Sequence, residues 1–295
     1  MANLNDLRIQ DYSSNIELLF QQKKAKLALN AREERGVEGK AVRMLSQVGE
    51  TSVSTNYTLN QPVMNAEIGH DSRWVYSEDI VWGTTVNDIQ LLETNIRPQG
   101  VYVTSAVSAV NRERDAKFLK AFFGDAKTGE TGDTTTSFDT NNVVGVTTGG
   151  GGSATGMNVE KLREVKKMGR ENNIDFEMYR LNVAVSPHQY DELLAQELVS
   201  SGDYNRTALA DDNIGNFLGI NFIISNLLET DANGYRRNPV WVDSAMGRAV
   251  WKEAVPTIRK LPNIQNNPDY IEVIGKEGYT RLNEQGCFEI KCDEA

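Results

Sequence analysis

A glycine run is the most conspicuous candidate for chemistry in this chain. VVGVTT is followed by Gly149, Gly150, Gly151, Gly152, Ser153 and Ala154, which fits G-x-G-x-x-A between a strand and a helix. A dinucleotide site would set a pyrophosphate at that helix start. A run of pure glycine fits almost any glycine pattern, however, and no series of βαβ units follows, so a surface loop is the simpler expectation. The chain has no G-x-x-x-x-G-K-[ST] and no G-x-S-x-G, so neither a P-loop nor a nucleophile elbow is expected. His70 falls in a polar β segment, and His188 at the second position of a capped helix. Both are expected to be structural or incidental. Glu78, Asp79 and Asp88 read as solvated faces rather than an acid/base pair. Cys287 and Cys292 are five apart in a strand, on opposite faces, which predicts two reduced thiols and no disulfide. A Cys-x4-Cys pair is not a zinc pattern by itself. No catalytic set, metal site or cofactor is expected.

Two histidines and two cysteines leave little material for metal chemistry. The chain has 295 residues, 31 basic and 41 acidic side chains and a net charge of −10. Its 39% hydrophobic content is that of a globular protein able to form a core without disulfides. The acidic balance argues against a dedicated nucleic-acid binder. The polar start lacks a signal-peptide core, and the longest apolar cluster, FLGINFIISNLL, falls short of the ~18 residues of a membrane helix. A soluble protein made in a cytosol is expected.

The elements show where the chain needs a partner. Residues 1–34 read as an arm. Its Ile16, Leu19 and Phe20 could share a face, followed by Ala25, Leu27 and Leu29, with too little apolar content for a core of their own. Residues 35–90 read as a long β-hairpin, with Trp74, Tyr76, Trp82 and their β-branched neighbours in RWVYSEDIVWGTTV. A hairpin with little core of its own needs a surface to lie on. Trp74, Tyr76 and Trp82 are therefore read as contact residues, together with Arg73, Phe20 and Leu27.

A long helix is predicted over about 98–123. Val103, Ala106, Val107, Val110, Phe118, Ala121 and Phe122 form its apolar face, while Arg112, Glu113, Arg114, Asp115 and Lys117 lie on the remaining surface. Gly124 ends it, and a Gly/Thr/Asp-rich break runs to 157. Asn158 caps a second helix bearing Val159, Leu162, Val165 and Met168. RLNVAVS is a short strand. Ser186, Pro187 and Gln189 supply a capping box for a third helix. Ile220, Phe222 and Ile224 mark a buried strand, and VWVDSAMGRAVW mixes strand and helix signals. PTIRKL, DYIEVIG, TRLNEQG and CFEIKCDE return to β.

This order of elements resembles the major capsid proteins of tailed double-stranded DNA bacteriophages, whose fold is shared with encapsulins and the herpesvirus capsid floor. The likeness runs over most of the chain. RWVYSEDIVW matches the extended loop, and AVSAVNRERDAKFLKAFFGDAKTG the spine helix with its glycine turn. VAVSPHQYDELL, SSGDYN, FLGINFIISNLL, AMGRAVW and GYTRLNEQGCFEIKCDE match the central domain and return strands. The resemblance implies an α+β fold with an N-terminal arm (1–34) and an extended loop (35–90). It also implies a peripheral domain (91–157 and 250–284) and an axial domain (158–249, which 285–295 could rejoin).

It further implies a non-enzymatic subunit that forms hexamers and pentamers of an icosahedral shell around packaged double-stranded DNA. The expected partners are further copies of the chain, a separate scaffolding protein, a portal and decoration proteins, with no membrane. DNA would be enclosed without sequence-specific binding, in a virion assembled in the host cytoplasm. Some relatives cross-link lysine to asparagine. Lys40 lies near the loop, but no partner for it can be assigned, and no cross-link is expected. The alternatives are an encapsulin-type nanocompartment shell and a dinucleotide-binding enzyme using residues 149–154.

Overall fold

The structure, a computed structural model, describes residues 20–48, 69–86, 99–196 and 216–294. In chain order, its first elements are β1 (Arg32–Arg35), β2 (Ala41–Val48), β3 (His70–Tyr76), β4 (Glu78–Val86) and α1 (Gln99–Phe123). Next come β5 (Ala126–Thr128), β6 (Thr134–Thr136), β7 (Val143–Val144), α2 (Val159–Glu171), β8 (Leu181–Val185) and α3 (Pro187–Ala195). The last are β9 (Asn216–Phe217), β10 (Ile220–Ile224), β11 (Arg236–Val242), β12 (Met246–Lys260), β13 (Asp269–Arg281) and β14 (Cys287–Cys292). The strands form three sheets, ordered β1-β12-β13-β4, β2-β3-β5-β6 and β7-β14-β11-β8-β10-β9. The chain divides into two compact units, one of residues 1–24, 79–113 and 253–275, the other of the remainder.

The smaller unit is a sheet packed on a helix. Ile80, Ala106, Val110 and Val273 form its core, with Trp82 and Ala254 packed against them. Alternation along β4 buries Ile80 and Val86 and leaves Val81 exposed, as a strand with one covered face requires. Gly83 is needed there because a Cβ would run into the Tyr270 ring. At the middle of α1, the Asn111 amide donates to the Lys23 carbonyl at 2.8 Å, and Arg112 donates to Gln21 at 2.7 Å.

The larger unit is built on the six-stranded mixed sheet. β8 and β10 are parallel, β11 runs antiparallel to both β8 and β14, and β7 runs parallel to β14. All five residues of β8 are buried, so LNVAV is covered on both faces. α2 packs on β14 and β7 through Val159, Leu162 and Val165. The Asn158 side chain accepts from the Lys161 N–H at 2.8 Å, and the full capping box of Ser186 and Gln189 starts α3. Trp241 lies 5.0 Å from Phe118 and 6.3 Å from Phe122, ring to ring, within the main core.

Three polar clamps hold this unit. Asp115 is fully buried and accepts from the backbone N–H groups of Lys26, Leu27 and Ala28 at 2.9–3.1 Å. The Trp241 indole then donates to the Asn30 carbonyl at 2.7 Å. Buried Arg281 donates to the carbonyls of Ala121, Phe122 and Gly124 at the end of α1 and to that of Thr136. A cation is favoured where a helix leaves carbonyls without partners. Finally, Glu277 is wholly buried. Its Oε1 accepts from Arg114, and its Oε2 from Arg248 and from the Tyr279 hydroxyl at 2.8 Å. Arg248 reaches on to Glu33 at 3.2 Å.

Several sequence expectations change. Asp115, read as surface, is buried, because an arm turn needs its oxygens as acceptors. Arg114 and Lys117 are mostly covered as well. Ala25, Leu27 and Ala28 belong to the chain's own core instead of lying on another surface, because that same turn folds them inward. Within the described part of 35–90, β2 and β3 form an antiparallel pair, as expected of a hairpin. However, β3 also pairs with β5, and β4 joins a different sheet. VWVDSAMGRAVW is strand, turn, strand, and TRLNEQG ends in a 3-10 turn at Glu284–Gly286 capped by Asn283. Ile16, Leu19, Asp88 and Pro98 lie outside the described residues.

Removing an acceptor from three buried donors leaves them unsatisfied. Asp115→Ala should therefore cost about 3 kcal/mol in chemical denaturation of the subunit, and limited proteolysis should then cut near Lys24 and Lys26.

Candidate functional site

The glycine run lies in a loop of turns that closes on itself. Gly149, Gly151 and Gly152 have positive φ, and Thr155 N–H returns to the Val146 carbonyl at 3.0 Å. The donors at the start of α2 are taken up inside the chain. Met157 N–H goes to Glu192, Val159 N–H to Gln196 and Lys161 N–H to Asn158. Lys161 is buried, with its ammonium on the carbonyls of Thr155, Gly156 and Lys291 at 2.7–2.9 Å. Burial depresses its pKa. A pyrophosphate would have to displace the Glu192 carboxylate, so this helix start is not built for an anion.

The other enzymatic candidates stay apart. The His188 side chain is exposed and sits 3.8 Å from Glu192, one helical turn on. His70 begins β3 and is exposed. Cys287 and Cys292 are free and fully buried. Burial pushes both thiols up, that of Cys292 to about 12. Among the described residues, no group of His, Cys, Asp and Glu could hold a metal ion. No described helix is long and apolar enough to cross a membrane.

The six contact candidates fall in different places. Phe20 is fully exposed, and Leu27 is fully buried in its own core. Arg73 is buried beside Asp71, at 2.5 Å. Trp74 and Tyr76 come together in the larger unit, Trp74 half-buried and Tyr76 39% exposed. Trp82 belongs to the core of the smaller unit. Trp74 is held by its indole N–H on the Gly129 carbonyl at 2.8 Å. Trp74 and Tyr76 line a cleft of about 310 Å³ with Lys117, Lys120, Lys127 and Tyr279. Lys117 pairs with Glu78 at 3.0 Å. Lys120 and Lys127 are exposed. Burial, with Glu277 beside it, drives the Tyr279 phenol upward, so it stays neutral. The sequence reading names Lys117 on the helix surface but not Lys120 or Lys127, although Lys117 and Lys120 are three apart on one helix and so share a face.

The same architecture occurs in a capsid chain of the cyanophage P-SCSP1u, with a TM-score of 0.73, 14% identity and coverage of 100% of this chain and 96% of that one. A chain of Mycobacterium phage Che8 matches with a TM-score of 0.70 and 14% identity, over 96% of this chain and 97% of that one. The acidic stable capsid of Helicobacter pylori bacteriophage KHP30 matches with a TM-score of 0.70 and 12% identity, over 99% and 98%. No curated protein sequence matches the chain. The profile of the phage capsid protein family covers residues 4–294, and the chain belongs to that family. It is a structural, non-enzymatic component of a virion that assembles with copies of itself.

Two outcomes follow from the buried groups. Thiol reagents should leave Cys287 and Cys292 unmodified in the folded chain and label both in denaturant, as read by mass spectrometry. Burial works against ionising Glu294, yet hydrogen bonds from Arg236 and Ser186 outweigh it and hold the carboxyl below its usual range. Its contribution is therefore present above the ordinary carboxylate pKa and fades as pH falls through the folded value. Glu294→Gln should lower the unfolding temperature at neutral pH, and the gap to wild type should close below about pH 4.

Proposed function

We propose that copies of this chain form the hexamers and pentamers of an icosahedral shell enclosing double-stranded DNA. The family match over residues 4–294 supports this reading. On it, the unit holding 79–113 and 253–275 takes the peripheral role, and the six-stranded sheet the axial one. The root of the arm is clamped by Asp115, and β2 and β3 are anchored through Met44 and Val75. Phe20, Trp74 and Tyr76 then meet neighbouring copies. A net charge of −10 suits a lining that lets DNA pack without adhering. A separate scaffolding protein, a portal and decoration proteins complete the particle, which is assembled in the host cytoplasm.

Electron microscopy of the gently purified chain expressed alone tests this reading. Closed uniform shells, or free hexamers and pentamers awaiting a scaffold, are the expected result. A plain monomer or dimer would count against it. Particles enclosing a protein cargo and no nucleic acid would favour a nanocompartment instead.

A further inference from the structure

The cleft beside α1 has a counterpart elsewhere on the same unit. Its walls are Trp74, Tyr76 and Tyr279; Glu78 there is taken up by Lys117, and the rim carries Asp125 with Lys120 and Lys127, two lysines that have no ion pair among the described residues. Between α2 and β8, the turn Asp175–Tyr179 presents the opposite character. Met178 is 77% exposed and Tyr179 44% exposed. Isolated large apolar side chains are common on surfaces, but two in succession on a tight turn form a protrusion. The turn is held in shape, because Asp175 accepts from the Glu177 N–H at 2.9 Å and its carbonyl accepts from Met178 and Tyr179. Ile174 and Phe176 root it in the core. The Glu177 side chain points to solvent and has no ion pair among the described residues.

We propose that the Asp175–Tyr179 turn of one copy docks in the Trp74–Tyr76 cleft of the next. Glu177 meets Lys120 and Lys127, and Met178 packs on the aromatic walls. Three properties of the two surfaces select a second copy as the occupant. The turn brings the exposed acid Glu177, and the cleft sets three lysines against Glu78 and Asp125, an excess of one positive charge. The turn offers a thioether where the cleft offers rings, a favourable pairing. The cleft, at about 310 Å³, has room for one or two side chains rather than a folded partner. Turn and cleft lie at different positions of one chain, so the contact is head-to-tail. Contacts of that kind close into rings when the rotation permits.

The proposal rests on self-assembly of the chain, and its test separates the two. Lys120→Glu with Lys127→Glu should reduce the assembled fraction at least about tenfold while leaving the far-ultraviolet circular dichroism of the subunit unchanged. Adding Glu177→Lys to that pair should restore particles. Normal assembly of the lysine double variant, or no recovery in the triple variant, overturns the docking. A second measurement does not depend on those variants folding. Lys127→Cys and Glu177→Cys chains are mixed, assembled and oxidised; the native thiols are buried and silent. A covalent dimer that needs both variants is expected. Particles without that dimer overturn the docking alone, whereas a wild-type chain that forms no particles or capsomers overturns the assembly reading and the docking with it.

Discussion

A carboxylate with no access to water organises the larger unit. Glu277 on β13 has both oxygens occupied, by Arg114 from α1 and by Arg248 from β12, and Tyr279 adds a hydroxyl. Glu33 meets the second guanidinium and is shared with the exposed Arg35, which ties the cluster to the surface. A buried ion cluster of this kind adds little net stability over an apolar core. Breaking it by losing one member, however, costs about 3–5 kcal/mol, because a charge is left behind. It therefore acts as a geometric constraint. β1, β12, β13 and the C-terminal half of α1 have one mutual arrangement that satisfies every charge.

The same logic recurs at the ends of segments. Asp115 satisfies the donors of the arm turn, Arg281 the carbonyls at the end of α1, and Lys161 the carbonyls between the glycine loop and β14. Each sets one polar side chain against several backbone groups that would otherwise be buried unpaired. The fold thus spends charged residues on its interior and keeps its surface chemistry sparse.

That habit also explains what the sequence disclosed. Apolar periodicity and caps marked α1, α2 and α3, the β8 strand and the β return, because those signals are local. Asp115, Arg114 and Lys161 were misread or passed over, because Asp115 and Arg114 answer to partners 87 to 163 residues away and Lys161 reaches Lys291, 130 residues on, and charge normally signals solvent. The strand positions of 35–86 were legible, but their division between two sheets was not, since pairing partners leave no local trace. Of the contact candidates, the pairing of Trp74 with Tyr76 was readable from alternate positions on one strand. The lysines completing their cleft come from α1 and β5, and only the fold unites them.

One modest element has a consequence for life at high local concentration. β1 reads Arg-Glu-Glu-Arg, largely exposed apart from the Glu33 carboxylate that meets Arg248, and it stands at the end of its sheet. Beyond its four paired positions, β12 continues with Lys252, Pro256, Arg259 and Lys260, largely exposed. A naked strand edge is an indiscriminate adhesive, and charged side chains, lysine and proline are what dull it. A chain whose task is to meet copies of itself must refuse nearly every other encounter. This edge supplies the refusal, and leaves selectivity to the few surfaces shaped to accept.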